Sequence, residues 1–301
     1  MNKKIAIVGH YKDFNFGTML QAYALSYTIS KMGIDNEYIN YELYPDNITK
    51  FGKLLFYLKT SPQHIIKMLF KKKHQKYLSD YFESTEFSKS KILYNDFFKR
   101  IPQSKVYTYT TIKSVENDYD NFIVGSDQTW SSGMYTNYSI NFLPFVHDRE
   151  KKNSYSPSLG SNRINKKFAN VLKSGLSNFN YISCRDNFGV NYLKELIGRD
   201  IIKTLDPTLL LTRDEWRNLE NSISIPHDYI LVYQLGTRVD LSIFAETIAN
   251  KKNTPIYYIA TNKYTYYKSN VFKNVGPSEF LFLIRNASCV ITDSYYGTLF
   301  S

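Results

Sequence analysis

The polar residues of this chain collect at a few short steps that follow apolar runs, and their types suit carboxylate, phosphate and hydroxyl chemistry. Arg185, in Ile182-Ser183-Cys184-Arg185-Asp186, carries a planar guanidinium that can grip a carboxylate through two parallel hydrogen bonds. It can equally pair with Asp186 or Asp206 and hold a sheet edge. Asp127, between Ser126 and Gln128 in Val124-Gly125-Ser126-Asp127-Gln128-Thr129-Trp130, can bind a hydroxyl or take its proton, or it can bond its own turn backbone. In Ile291-Thr292-Asp293-Ser294-Tyr295-Tyr296-Gly297-Thr298, Ser294, Gly297 and Thr298 open a helix whose amides suit a phosphate, unless Ser294 simply caps it. Asp293 is either a hydroxyl ligand or a helix cap. Tyr296 can donate a proton, from an ordinary pKa near 10.

These steps need strands to carry them. Lys4 to Gly9 reads as a buried parallel strand, Thr18 to Met32 as a helix ending at Gly33, and Glu37 to Tyr41 as the next strand. Further strands are predicted at Phe122 to Gly125, Asn153 to Ser156, Tyr181 to Cys184 and Ile202 to Leu205, with helices at about Lys166 to Leu176 and Phe188 to Ile197. After a short helix from Arg213 to Asn221, the polar stretch Ser222 to Asp228 reads as a hinge containing Pro226. A second series follows: strands at Tyr229 to Leu235, Pro255 to Ala260 and Cys289 to Thr292, with helices at Leu241 to Lys251 and Ser278 to Asn286. Alternating strands and helices in two series predict an α/β protein of two facing Rossmann-like domains. The expected bounds are 1–221, with a basic helical insertion at about 47–100, and 229–301. The second domain is expected to be truncated, since Ser301 falls in an apolar helical pattern.

At 301 residues and 43% apolar content the chain can bury a sizeable core. Its two cysteines, Cys184 and Cys289, are far apart and signal neither a disulfide framework nor a zinc knuckle. With no apolar run long enough to span a bilayer and none of signal-peptide type at Met1, the expected location is cytoplasmic. The formal charge of +11 is concentrated between Asn47 and Ser79, where eight lysines meet no acidic residue. Interleaved apolar residues there predict one or two amphipathic helices, whose basic face either meets water or touches an anionic membrane at its inner surface. No nucleic-acid motif accompanies the lysines. Trp130, Tyr135 and Tyr138 could stack on sugar rings, although most aromatic residues are expected in the core.

Two further steps complete the series: Asn15-Phe16-Gly17-Thr18 after the first strand, and Ser154-Tyr155-Ser156-Pro157-Ser158-Leu159-Gly160 after the strand at Asn153. With Leu205-Asp206-Pro207-Thr208-Leu209-Leu210 and those quoted above, their order across Ile5 to Ser301 resembles the polysaccharide pyruvyl transferase family. The resemblance implies a fold like that of two-domain GT-B glycosyltransferases. It also implies transfer of an enolpyruvyl unit from phosphoenolpyruvate to two hydroxyls of one sugar, forming a cyclic ketal and releasing phosphate. Neither a cofactor nor a metal is implied. The expected acceptor is a sugar or lipid-linked oligosaccharide precursor of a capsule or exopolysaccharide.

In that reading Arg185 grips the donor carboxylate, Asp127 accepts a hydroxyl proton, and Gly17, Ser126, Gln128, Asp293, Ser294, Gly297 and Thr298 bind substrate. The family usually has a histidine before the glycine of the last step, taken to be the general acid. Here that position is Tyr296. His10, at the first strand exit, could substitute. Two other readings remain: a GT-B-like glycosyltransferase using a nucleotide sugar, and a non-catalytic member that binds glycan or a partner enzyme.

Overall fold

The computed structural model describes residues 3–42, 85–132, 139–225, 228–236, 239–261, 265 and 267–301. The lysine-rich stretch at 47–79, Tyr135, Tyr138 and Pro226 lie outside the described residues. The chain divides into two compact units. Among the described residues the first takes 3–13, 20–42, 101–132 and 139–210, and the second takes 14–19, 85–100 and the described part of 211–301. Residues 14–19, 85–100 and 211–221, placed by the sequence reading in the N-terminal domain, belong with the second unit.

In the first unit, β1 (Lys4–Val8) leads to α1 (Phe16–Lys31), which also carries the first residues into the second unit's share. Asn15 starts α1 by accepting from the Thr18 amide at 3.1 Å, and Gly33, at φ +76°, ends it in the left-handed conformation that glycine adopts without strain. β2 (Asp35–Glu42) returns alongside β1. Its buried Asn36 donates to the Ser26 carbonyl and the Ser30 hydroxyl and accepts from the Ser26 hydroxyl, so one amide fixes the register of helix against strand.

After α2 (Thr85–Phe98), a second-unit helix, come β3 (Gln103–Thr108), β4 (Asn121–Val124) and β5 (Lys152–Ser154). They complete a five-stranded parallel sheet in the order β3-β2-β1-β4-β5. β1 sits in the middle, and its Ala6 and Ile7 are fully buried, as an apolar run covered on both faces should be. α3 (Lys166–Leu176) turns Phe168, Leu172 and Leu176 into the core. β6 (Ser183–Cys184), α4 (Asn187–Ile197) and β7 (Ile202–Lys203) finish the unit, β6 pairing parallel with β7.

The second unit continues with α5 (Arg213–Arg217), β8 (Ile230–Tyr233), α6 (Val239–Lys252), β9 (Ile256–Ile259), β10 (Val271–Phe272), α7 (Pro277–Asn286), β11 (Cys289–Thr292) and α8 (Tyr295–Phe300). Its four strands form a parallel sheet in the order β10-β9-β8-β11. Ile230, Val232, Ala245, Ala249, Tyr258 and Ile291 make its core. A second layer is aromatic: Phe16 stacks on Phe280 at 4.5 Å between centroids and on Tyr94 at 5.3 Å. The α/β class and the two series of parallel strands agree with the expectation, while β3 and β10 are additions to it. Among the described residues no helix is long and apolar enough to cross a membrane.

Candidate active site

In an open parallel sheet, the residues that leave the carboxyl ends of the strands line the ligand edge, and neighbouring strands whose helices diverge leave a crevice there. In the first unit β4 pairs with both β1 and β5, so the exits at His10, at Ser126 and Asp127, and at Ser156 are side by side. β6 and β7 add Arg185 and Asp206. Here serine hydroxyls take over from the backbone ladder. Ser183 donates to the Ser154 carbonyl and accepts from the Ser156 amide, both at 2.9 Å, while the Ser154 hydroxyl accepts from the Ser183 amide. These side-chain bonds supplement the two residue pairs through which β6 and β7 meet.

Arg185 is clamped between two carboxylates. Its Nη1 donates to Asp206 Oδ2 at 2.6 Å and its Nη2 to Asp127 Oδ1 at 3.3 Å. The Arg185 side chain is only 8% exposed and that of Asp206 not at all. Asp206 is itself built in: Oδ1 accepts from the Thr208 amide and hydroxyl, and Oδ2 also accepts from the Ser126 hydroxyl at 3.3 Å. Asp186, the other partner considered for Arg185, instead caps α4 by accepting from the Gly189 amide at 2.6 Å. Asp127 and Ser156 both hold left-handed backbone, at φ 73° and 63°. Such strain on residues other than glycine persists only where the surroundings impose it, and it gathers at functional sites.

The environment sets the protonation of the neighbours. Burial lowers the pKa of His10, opposed by the carboxylates of Asp127 and Asp13, so its imidazole is neutral at pH 7. Burial, with Asp186 adding to it, pushes the Cys184 thiol up to about 12. Gln128 packs its side-chain amide against Gly160, where an added Cβ would lie 2.9 Å from Oε1. Trp130 is a core residue, its indole N–H donating to the Asn141 carbonyl at 3.1 Å.

The second unit assembles a separate group at the exit of β11. Asp293 accepts from the amides of Leu235 and Gly236 at 2.7 and 2.9 Å, fastening the loop that leaves β8. It does not cap α8. Ser294 does, its hydroxyl accepting from the Gly297 amide at 3.2 Å, and the Thr298 hydroxyl bonds back to the Ser294 carbonyl. Gly297 has no room for a side chain, since a Cβ would fall 2.4 Å from Thr292 Oγ1. The buried ring of Tyr296 lies on Gly17, where a Cβ would be 1.8 Å from Tyr296 Cδ2. Burial pushes the neighbouring Tyr233 phenol upward, and the Ser294 hydroxyl, as its hydrogen-bond partner, opposes that shift.

The sequence profile described as polysaccharide pyruvyl transferase matches residues 15–301. The chain belongs to the polysaccharide pyruvyl transferase family. Among solved structures it is similar to a Listeria monocytogenes protein assigned as a UDP-N-acetylglucosamine 2-epimerase, with a TM-score of 0.48 and 11% identity over 99% of this chain and 76% of that one. A comparison with curated proteins returns no match.

For this pyruvyl transferase family member, the expected site residues thus fall into two groups, one in each unit. Asp127, Arg185, Ser126 and Gln128 belong to the first; Gly17, Asp293, Ser294, Tyr296, Gly297 and Thr298 belong to the second. Sequence reasoning missed Ser156, whose strained backbone accepts from Ser126 at 2.9 Å, and it gave Asp206 too small a part. A signal for Asp206 was present, because aspartate before Pro-Thr is a ready cap for a helical turn. The same geometry gives Arg185 a structural part as well, because Arg185→Ala would strand a buried carboxylate.

Proposed function

We propose that the chain moves an enolpyruvyl group from phosphoenolpyruvate to a sugar of a surface-polysaccharide precursor, forming a pyruvate ketal. Family membership supports the reaction class, and the single observation that supports a donor site is the Arg185 clamp at the ligand edge of the first sheet. The 2.6 Å contact with Asp206 fixes the guanidinium in place. The donor carboxylate then competes with Asp127, whose 3.3 Å contact is the longer of these two. Once released, Asp127 accepts the proton of the first sugar hydroxyl as its oxygen bonds to C2 of the donor. C3 takes a proton from a general acid, becoming the methyl group. The second hydroxyl then displaces phosphate, which carries away the remaining proton.

The test is phosphate release from phosphoenolpyruvate with candidate sugars and lipid-linked sugars. Arg185→Lys keeps the charge but loses the fork, so it should raise the KM for the donor at least tenfold. Loss of kcat with unchanged KM would remove Arg185 from the donor site. A second reading, that the chain binds glycan without turning it over, is favoured by the packing of Tyr296 on Gly17, which gives that ring a structural role. Sugar binding with no phosphate release from any donor and acceptor pair would decide for it.

A further inference from the structure

A cavity of about 200 Å³ lies in the first unit at the carboxyl ends of β1 and β2. His10, Tyr11, Lys12 and Asp13 from the loop after β1 line it, with Tyr41 from β2 and Asn141. None of these was among the site residues expected from the sequence except His10, considered there as a proton donor. Drug-sized ligands occupy pockets of roughly 300–1,000 Å³, so this one suits a single small ring.

Its chemistry narrows the occupant. One ammonium, Lys12, and one carboxylate, Asp13, leave the walls without net charge, and Asp127 lies close enough to act on His10 electrostatically. A site of that balance disfavours a multiply charged anion such as phosphoenolpyruvate. It favours a neutral molecule rich in hydroxyls. The half-buried Tyr41 ring offers an apolar face for the C–H side of a pyranose, Tyr11 being packed on Tyr38 at 4.7 Å between centroids, and the buried imidazole and the Asn141 amide offer polar edges. Positions are fixed: the Tyr11 hydroxyl donates to the Ile39 carbonyl at 3.3 Å, Gln21 donates to the His10 carbonyl at 2.8 Å, and Asn141 donates to the Thr129 carbonyl at 3.1 Å. We propose that this cavity is the acceptor subsite and seats one neutral sugar ring, with His10 accepting a hydrogen bond from a ring hydroxyl. The proposal rests on the pyruvyl transfer reading and adds to it the place of the acceptor, next to Asp127.

The experiment is saturation-transfer NMR on the whole chain with methyl glucoside, methyl galactoside, methyl mannoside and N-acetylglucosamine. Phosphoenolpyruvate affinity is measured calorimetrically on the same samples. At least one sugar should bind, and His10→Ala and Tyr41→Ala should each weaken it about three- to tenfold, the range of one lost hydrogen bond for His10 and of a lost apolar contact for Tyr41, while donor affinity holds. Thermal melting of both variants confirms that each is folded, and Tyr41→Ala carries the test if His10→Ala is not. Sugar binding equal in wild type and variants overturns the proposal, as does displacement of the sugar by phosphoenolpyruvate. If wild type binds no sugar the subsite is likewise rejected; retained donor binding then leaves the pyruvyl transfer reading standing, and loss of both removes it as well.

Discussion

Replacing Arg185 by alanine would take a guanidinium away from two carboxylates, one of them with no side-chain surface in contact with water. Breaking a buried ion pair from one side costs about 3–5 kcal/mol, because the charge left behind has lost both its partner and its hydration. In a protein of this size each kcal/mol moves the melting temperature by about 2–4 °C, so the variant should melt roughly 6–20 °C lower. Asp206 keeps its bonds from Thr208 and Ser126, which points to the lower half of that range. Combining Arg185→Met with Asp206→Asn removes the stranded charge and should recover part of the loss, giving a double variant more stable than the sum of the singles predicts. Scanning calorimetry reads all of this. A melting temperature within 2 °C of wild type, or strictly additive losses, would refute the view that the clamp is a buried, coupled unit.

Gly17→Ala drives a methyl group into the buried Tyr296 ring and should cost about 1–3 kcal/mol in urea unfolding; a shift under 0.5 kcal/mol would mean that the ring yields freely. The Cys184 thiol, held at about 12 by burial, stays protonated well above neutral pH and should resist a thiol reagent at pH 8 until denaturant is added, while half-buried Cys289 reacts in the native protein. Tyr296→His places a donor of pKa near 6.5 at the last step, and phosphate release should rise by about a hundredfold to ten-thousandfold if enol protonation limits turnover. No gain would return Tyr296 to a packing role.

Both series of parallel strands were legible in the sequence because a strand covered on both faces must be apolar throughout, and Ile5 to Val8, Phe122 to Val124 and Ile230 to Tyr233 are. β3 was not, because Gln103 to Thr108 is an edge strand whose Lys105 and Val106 face water, so its pattern is polar and short. The strand at Tyr181 was overestimated for a related reason. Serine hydroxyls carry part of the pairing there, and no periodicity records them. At the site, Arg185 and Asp127 could be picked by type and position. Their contact could not, because Asp127 and Arg185 are 58 residues apart and meet only through the sheet order. Nor does any local pattern mark Ser156 as left-handed, since serine seldom adopts that conformation.

The place of β1 in its sheet has a consequence for how the chain is made. One neighbour, β2, leaves the ribosome soon after it, but the other pairs Ile5 with Asn121. At about 5–20 residues per second, that partner is synthesised roughly 6–25 s later. Through that interval one edge of this apolar central strand is open, with Ala6, Ile7 and Val8 awaiting cover. The nascent chain in this window is a natural client for a holding chaperone, and codons that slow translation before β4 would lengthen its exposure.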